Sequence, residues 1–176
     1  MEDKVRHLVF YQQLDNQEWP LYLAATSEGL CFVGSLGEGF AELENWTEKY
    51  VPGALLEENE AETAKYAEQL QEYFKGERSR FDIPLNAIGT VFQQEVWAAL
   101  KELPYGETTS YGEIADKINR PGSSRAVGTA IGKNPILIVV PCHRVIHKNG
   151  GISGYRGKLP MKKKLLVLET KMTFGK

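Results

Sequence analysis

Five apolar residues in succession, Ile136-Leu137-Ile138-Val139-Val140, run directly into Pro141-Cys142-His143-Arg144-Val145. A run of this kind fits only a buried strand or core segment. The residues that follow it are therefore delivered to the edge of a core. Cys142 is flanked there by an imidazole and a guanidinium, and neighbouring positive charge favours the thiolate. A cysteine with a base nearby is the general recipe for covalent catalysis. Adjacent residues on an extended strand point to opposite faces, so Cys142 and His143 need a turn or a water to cooperate. The only other cysteine, Cys31, sits in an apolar stretch and reads as a packed core thiol. Two cysteines cannot make a disulfide framework or a Cys-rich zinc site.

The two halves of the 176-residue chain differ in pattern and charge. Residues 1–89 carry 7 Lys/Arg against 17 Asp/Glu, and residues 90–176 carry 14 against 6. This asymmetry fits a basic half facing a polyanion and an acidic half facing away, or two ordinary solvated surfaces. Pro84-Leu85-Asn86-Ala87-Ile88-Gly89 reads as a linker, giving domains at 1–85 and 86–176. In the first, β-formers at Val5–Tyr11, Leu21–Thr26 and Leu30–Gly34 predict three antiparallel strands, with Ser27-Glu28-Gly29 as a hairpin turn. Leu43, Trp46 and Tyr50 predict one helix and Ala61–Phe74 a second, and Arg80–Leu85 is a candidate fourth strand. The result is a small domain with its sheet on one side.

The second half is mainly helical. Thr90 caps a helix over Val91–Glu102, and Pro104-Tyr105-Gly106 breaks it. Ser110 and Glu113 form a capping box for Tyr111–Ile118. After Arg120-Pro121-Gly122, a third helix starts at Ser123 or Ser124 and runs through Ile131. Two short helices joined by a tight turn form a helix-turn-helix pattern, and equally any helical hairpin. Pro160 suits the first turn of a terminal helix to about Lys171, with Leu165, Leu166 and Leu168 inward and Lys162-Lys163-Lys164 toward solvent or phosphate. No stretch of eighteen apolar residues is present, and the first residues lack the pattern of a signal peptide. The expectation is a cytoplasmic protein.

Residues 90–169 resemble the C-terminal domain of O6-alkylguanine-DNA alkyltransferases. The stretches that carry the likeness are Thr90-Val91-Phe92-Gln93 with Val96-Trp97, Leu103-Pro104-Tyr105-Gly106, Thr109-Ser110-Tyr111, Ser124-Arg125-Ala126-Val127-Gly128, Asn134-Pro135, Pro141-Cys142-His143-Arg144-Val145-Ile146 and Gly154-Tyr155-Arg156-Gly157. The acidic half resembles the family's ribonuclease-H-like α/β domain in layout. The resemblance implies an α+β fold whose helical second domain is winged-helix-like. It also implies repair of O6-alkylguanine in double-stranded DNA, with O4-alkylthymine as a further candidate. The alkyl group passes irreversibly to Cys142, once per molecule, with no cofactor and no metal. His143 matches the base that takes the thiol proton through a water, Glu169 the carboxylate that orients it, and Asn134 the brace of the turn before the active-site segment.

Family members flip the damaged base out of the stack. By resemblance, Arg125 fills the gap, and Tyr111 meets the 3′ phosphate and donates toward N3. The carbonyls of Cys142 and Val145 accept from the exocyclic amine. The loop at Tyr155-Arg156 closes over the base. Ser124, Ala126 and Thr129 belong to the helix that lies in the minor groove. Non-catalytic lesion-binding relatives lack the acceptor cysteine, and the family's regulators carry an extra Cys-rich domain that this chain does not have. A cysteine hydrolase would need an oxyanion-hole signature, which is not found. A monomer is expected.

Overall fold

The computed structural model describes residues 7–152 and 155–171. The first half is a four-stranded sheet built from β1 (Leu8–Gln13), β2 (Tyr22–Thr26), β3 (Gly29–Val33) and β4 (Leu55–Glu58), in the order β3-β2-β1-β4. β1–β2 and β2–β3 are antiparallel, and β4 returns parallel to β1. Of the strand expected over Val5–Tyr11, Val5 and Arg6 lie outside the described residues, and β1 begins at Leu8.

Side chains alternate along β2 as a period of two requires, while a register shift between β2 and β3 puts the consecutive Cys31 and Phe32 on one face. Leu23, Ala25, Leu30 and Val33 face one core, and Ala24, Cys31 and Phe32 face another. Helix α1 (Phe40–Tyr50) covers the second face with Leu43 and Trp46. Helix α2 (Glu60–Phe74), capped by Asn59, covers the first with Tyr66, Leu70 and Tyr73. The sheet is thus covered on both sides, not one. Cys31 is fully buried and its thiol donates to Ala24 O, as a core thiol should.

The fourth strand is not where the sequence placed it. Arg80–Leu85 makes only an isolated bridge, Leu85 with Leu30, while Pro84 O accepts from Leu30 N at 3.0 Å. Pro84 has no N–H to extend the ladder. The true fourth strand, Leu-Leu-Glu-Glu, lacks alternation and β-branched residues and carries no strand signal.

The second half contains α3 (Val91–Lys101), α4 (Tyr111–Lys117), α5 (Ser124–Gly132) and α6 (Lys158–Lys171). Thr90–Gln93 and Ser110–Glu113 both form complete capping boxes. A short parallel pair, β5 (Thr109–Ser110) and β6 (Val145–Ile146), ties the start of α4 to the segment after the cysteine. Trp97 Nε1 donates to Ala130 O at 2.9 Å and locks α3 to α5.

Ile136–Val140 is buried throughout, yet it is core coil and not a strand. Ile138 has φ 73°, a left-handed conformation costly for a β-branched residue, and the segment bonds locally, Val140 N to Ile136 O. It turns back on itself inside one hydrophobic core that runs from Leu14 in the first half to Leu165 in the last helix. No helix among the described residues is long and apolar enough to cross a membrane.

Candidate active site

Cys142 opens a single 3-10 turn, Cys142–Arg144, packed into the core where the 136–140 coil meets α6. The turn supplies what an extended strand would not, so Cys142 and His143 are not forced to opposite faces. The Asn134 side chain spans the loop: Nδ2 donates to Val140 O at 2.9 Å and to Cys142 Sγ at 3.2 Å, while Oδ1 accepts from Ile136 N at 2.9 Å. One buried amide therefore fixes the loop shape and places a donor on the sulfur.

His143 is fully buried and its Nε2 lies 2.8 Å from Glu169 Oε1. A carboxylate can only accept here, so Nε2 carries the proton and Nδ1 keeps its lone pair. Nδ1 is buried and bonds to no described protein atom. Glu169 is also gripped by Arg144, through Nε at 3.0 and 3.1 Å and Nη2 at 2.7 Å, and by the Tyr73 hydroxyl at 2.9 Å.

Burial sets the protonation states. It pushes the Cys142 thiol up, against the opposing pull of the Asn134 bond and the charges of Arg156 and Lys162. It pushes His143 down, against the Glu169 bond and charge. Burial would also raise Glu169, but the bonds from His143 and Arg144 outweigh it and hold the carboxyl at about 2. The resting site is a neutral thiol, a neutral imidazole and a carboxylate. That is the nucleophile, base and orienter arrangement.

The face outside this cluster is an open groove of about 810 Å³ lined by Tyr111, Ser124, Arg125, Thr129, His147 and Lys148, among others. Ser124, Arg125, Ala126 and Thr129 form the exposed side of α5, while Val127, Ala130 and Ile131 pack inward. Gly128 faces the Tyr111 ring, and a Cβ there would meet it at 3.6 Å, ordinary van der Waals contact. Burial, then the nearby Cys142, raises the Tyr111 phenol and keeps it protonated.

Residues 9–87 match the family model "6-O-methylguanine DNA methyltransferase, ribonuclease-like domain", and residues 91–171 match its "DNA binding domain". The inducible methylated-DNA–protein-cysteine methyltransferase of Bacillus subtilis is 48% identical over 161 residues, covering 92% of this chain and 90% of the relative. The solved O6-methylguanine methyltransferase of Mycobacterium tuberculosis superposes with a TM-score of 0.80 at 40% identity over 96% of both chains. The solved structure of the same organism's protein in complex with DNA gives a TM-score of 0.78 at 41% identity, covering 93% of this chain and 94% of that one.

The chain belongs to the 6-O-methylguanine DNA methyltransferase family. Its activity is the family's repair reaction, transfer of a methyl group from DNA to a protein cysteine.

One side chain of this methyltransferase departs from the sequence reading. Lys162, placed toward solvent or phosphate, is fully buried and donates to Val145 O at 2.7 Å. Its spacing with Leu165 and Glu169 puts it on the inward face of α6, a signal the run of three lysines masks. The Arg156 side chain, on the loop expected to close over the base, turns toward the first half. It donates to Asn134 O (2.7 Å), Val33 O (2.6 Å) and Pro135 O (3.2 Å) and pairs with Glu42 at 2.9 Å. The carbonyls of Cys142 and Val145 each already accept one bond, from Val145 N and Lys162. Each retains a second lone pair. Tyr155 is buried beside them, and Gly154 of the same motif lies outside the described residues.

Proposed function

We propose that Cys142 is the acceptor and that the substrate is O6-alkylguanine in duplex DNA, flipped into the site beside α5. Residues 86–176 carry the chemistry and the DNA contact, and residues 1–85 hold the site in shape. The thiol proton passes through a water to His143 Nδ1. The thiolate attacks the alkyl carbon in line, the bond from that carbon to O6 breaks, and its electron pair stays with the base. Glu169 stabilises the imidazolium that forms, and the Asn134 amide steadies the sulfur. Tyr111 donates toward N3, so the base leaves with its charge offset.

Arg125 fills the space the base vacates. Ser124, Ala126 and Thr129 line the minor groove, where small side chains allow close approach and little base reading is needed. The carbonyls of Cys142 and Val145 accept from the exocyclic amine, and the backbone at Tyr155-Arg156 closes over the base. The protein acts as a cytoplasmic monomer, once per molecule.

The observation that carries this reading is the buried Asn134–Cys142 bond beside a His143 fixed on Glu169. Because burial keeps the thiol protonated, a thiolate must be generated by a base in place. Intact-protein mass after mixing with a duplex holding one O6-methylguanine tests it. The expected result is a gain of one methyl group, saturating at one per molecule and absent in Cys142→Ser, which still binds DNA. Methylation persisting in Cys142→Ser would remove Cys142 as the acceptor. A duplex with O4-methylthymine in the same assay measures the second substrate.

A further inference from the structure

Tyr73 stands on α2, in the ribonuclease-like half, 96 positions before the carboxylate it touches. Its side chain is fully buried and edge-on to Tyr105, with ring centroids 6.1 Å apart. Phe74 and Phe81 complete its surroundings. A phenylalanine would serve that aromatic packing equally well. A hydroxyl there is costly unless bonded, and its one acceptor among the described residues is Glu169 Oε1, the same oxygen that receives His143 Nε2.

We infer that Tyr73 is a positioning residue for alkyl transfer, acting through Glu169 on His143 by sharing one carboxylate oxygen. This rests on the reading of His143 as the base. Arg144 Nε and Nη2 also donate to this oxygen, and each of its donors, Tyr73 included, takes a share of its negative charge from His143. The Tyr73 hydroxyl therefore weakens the hold of Glu169 on an imidazolium and keeps His143 neutral until the thiol proton arrives. The ribonuclease-like half thereby tunes the base without touching DNA.

The other groups around the pair are constant in the comparison that tests this. Arg144 faces Glu169 from the 3-10 turn, Tyr105 from the turn after α3, and Tyr155 from the loop before α6. Arg144 and Lys162 of α6 face His143.

The test is Tyr73→Phe in the full chain, which removes one oxygen and keeps the ring. First-order transfer is followed at saturating O6-methylguanine duplex across pH, with duplex affinity measured in a Cys142→Ser background. The expected result is an acidic limb moved upward by about half a unit, roughly a three-fold deeper loss on the limb relative to the plateau. Affinity stays within about two-fold, since Tyr73 is remote from the α5 groove. A limb at the wild-type position, whatever the plateau, overturns the proposal. If Phe at this position prevents folding, 3,5-difluorotyrosine at position 73 is a stronger donor and must move the limb the other way.

The proton resonance of His143 Nε2–H in the DNA-free protein reads the shared oxygen without any chemistry. It moves downfield in Tyr73→Phe, and no movement sinks the proposal. Wild-type transfer by His143→Asn would instead remove the base assignment, a failure the resonance distinguishes.

Discussion

The main chain of Asn134 is held by the side chain of Arg156: Nε donates to Asn134 O at 2.7 Å. The Asn134 side chain meanwhile donates to Cys142 Sγ at 3.2 Å. The residue that braces the nucleophile is thus itself braced, by a guanidinium that also reaches Val33 O at the end of β3 and Glu42 on α1. Arg156 stacks on Phe32 as well, 5.2 Å from its centroid.

Arg156→Ala leaves several carbonyls short of a donor and Glu42 without its cation. The expected cost is about 2–4 kcal/mol, the range for breaking a partly buried charged network. Urea unfolding measures it. Transfer should slow as well, because Asn134 loses its anchor. A variant with wild-type stability and rate would show the bracket to be incidental.

Acid should destabilise the protein in two stages. His143 is buried with its pKa pushed below 6.5, so the unfolded chain binds that proton more readily and stability falls as pH drops below about 6.5. Glu169 is held at about 2 against an ordinary 4.5, so its contribution is full above 4.5 and fades as pH falls toward 2. Thermal unfolding against pH should show His143→Asn losing the first stage and Glu169→Gln losing the second. A flat profile in the wild-type protein from pH 7 to 3 contradicts both.

Arg125 is exposed on α5, and its side chain makes no hydrogen bond or ion pair among the described residues. Arg125→Ala should change stability by no more than about 0.5 kcal/mol while slowing transfer on duplex DNA. Binding of the wild-type protein should weaken steeply with salt, the mark of phosphate contacts. Salt-independent affinity would mean the basic second half is an ordinary solvated surface.

Gly157 has no room for a side chain. A Cβ there would sit 2.6 Å from Met161 Sδ and from the Tyr155 ring. Gly157→Ala should displace Tyr155 from beside Cys142 and reduce the transfer rate more than the melting temperature suggests. Equal rates in the two proteins would remove Tyr155 from the substrate pocket.

Local chemistry was legible in the sequence and distant contact was not. Thr90 with Gln93 and Ser110 with Glu113 close their caps within three residues, so the sequence alone announces them. The fold of residues 136–140 was half legible. Five apolar residues dictate burial, but nothing in them announces the left-handed turn at Ile138 that makes them coil. Cys142 stood out by its own flanking residues, while His143, Asn134 and Glu169 entered through the family resemblance, and the structure brings the four together. Tyr73 and Glu42 were invisible, because their partners lie 96 and 114 positions away. On their own elements they read as one more aromatic and one more acid on amphipathic helices.

The core that runs unbroken from Leu14 to Leu165 bears on inheritance as well as on packing. Two family models meet near residue 88, so the gene reads as two modules. The folded molecule offers no such seam. Transplanting residues 91–171 alone would carry every member of the catalytic motif and leave behind Tyr73, Val33 and Glu42. The graft would keep the Asn134–Cys142 and His143–Glu169–Arg144 bonds and lose the Tyr73 donor and the Val33 and Glu42 anchors of Arg156.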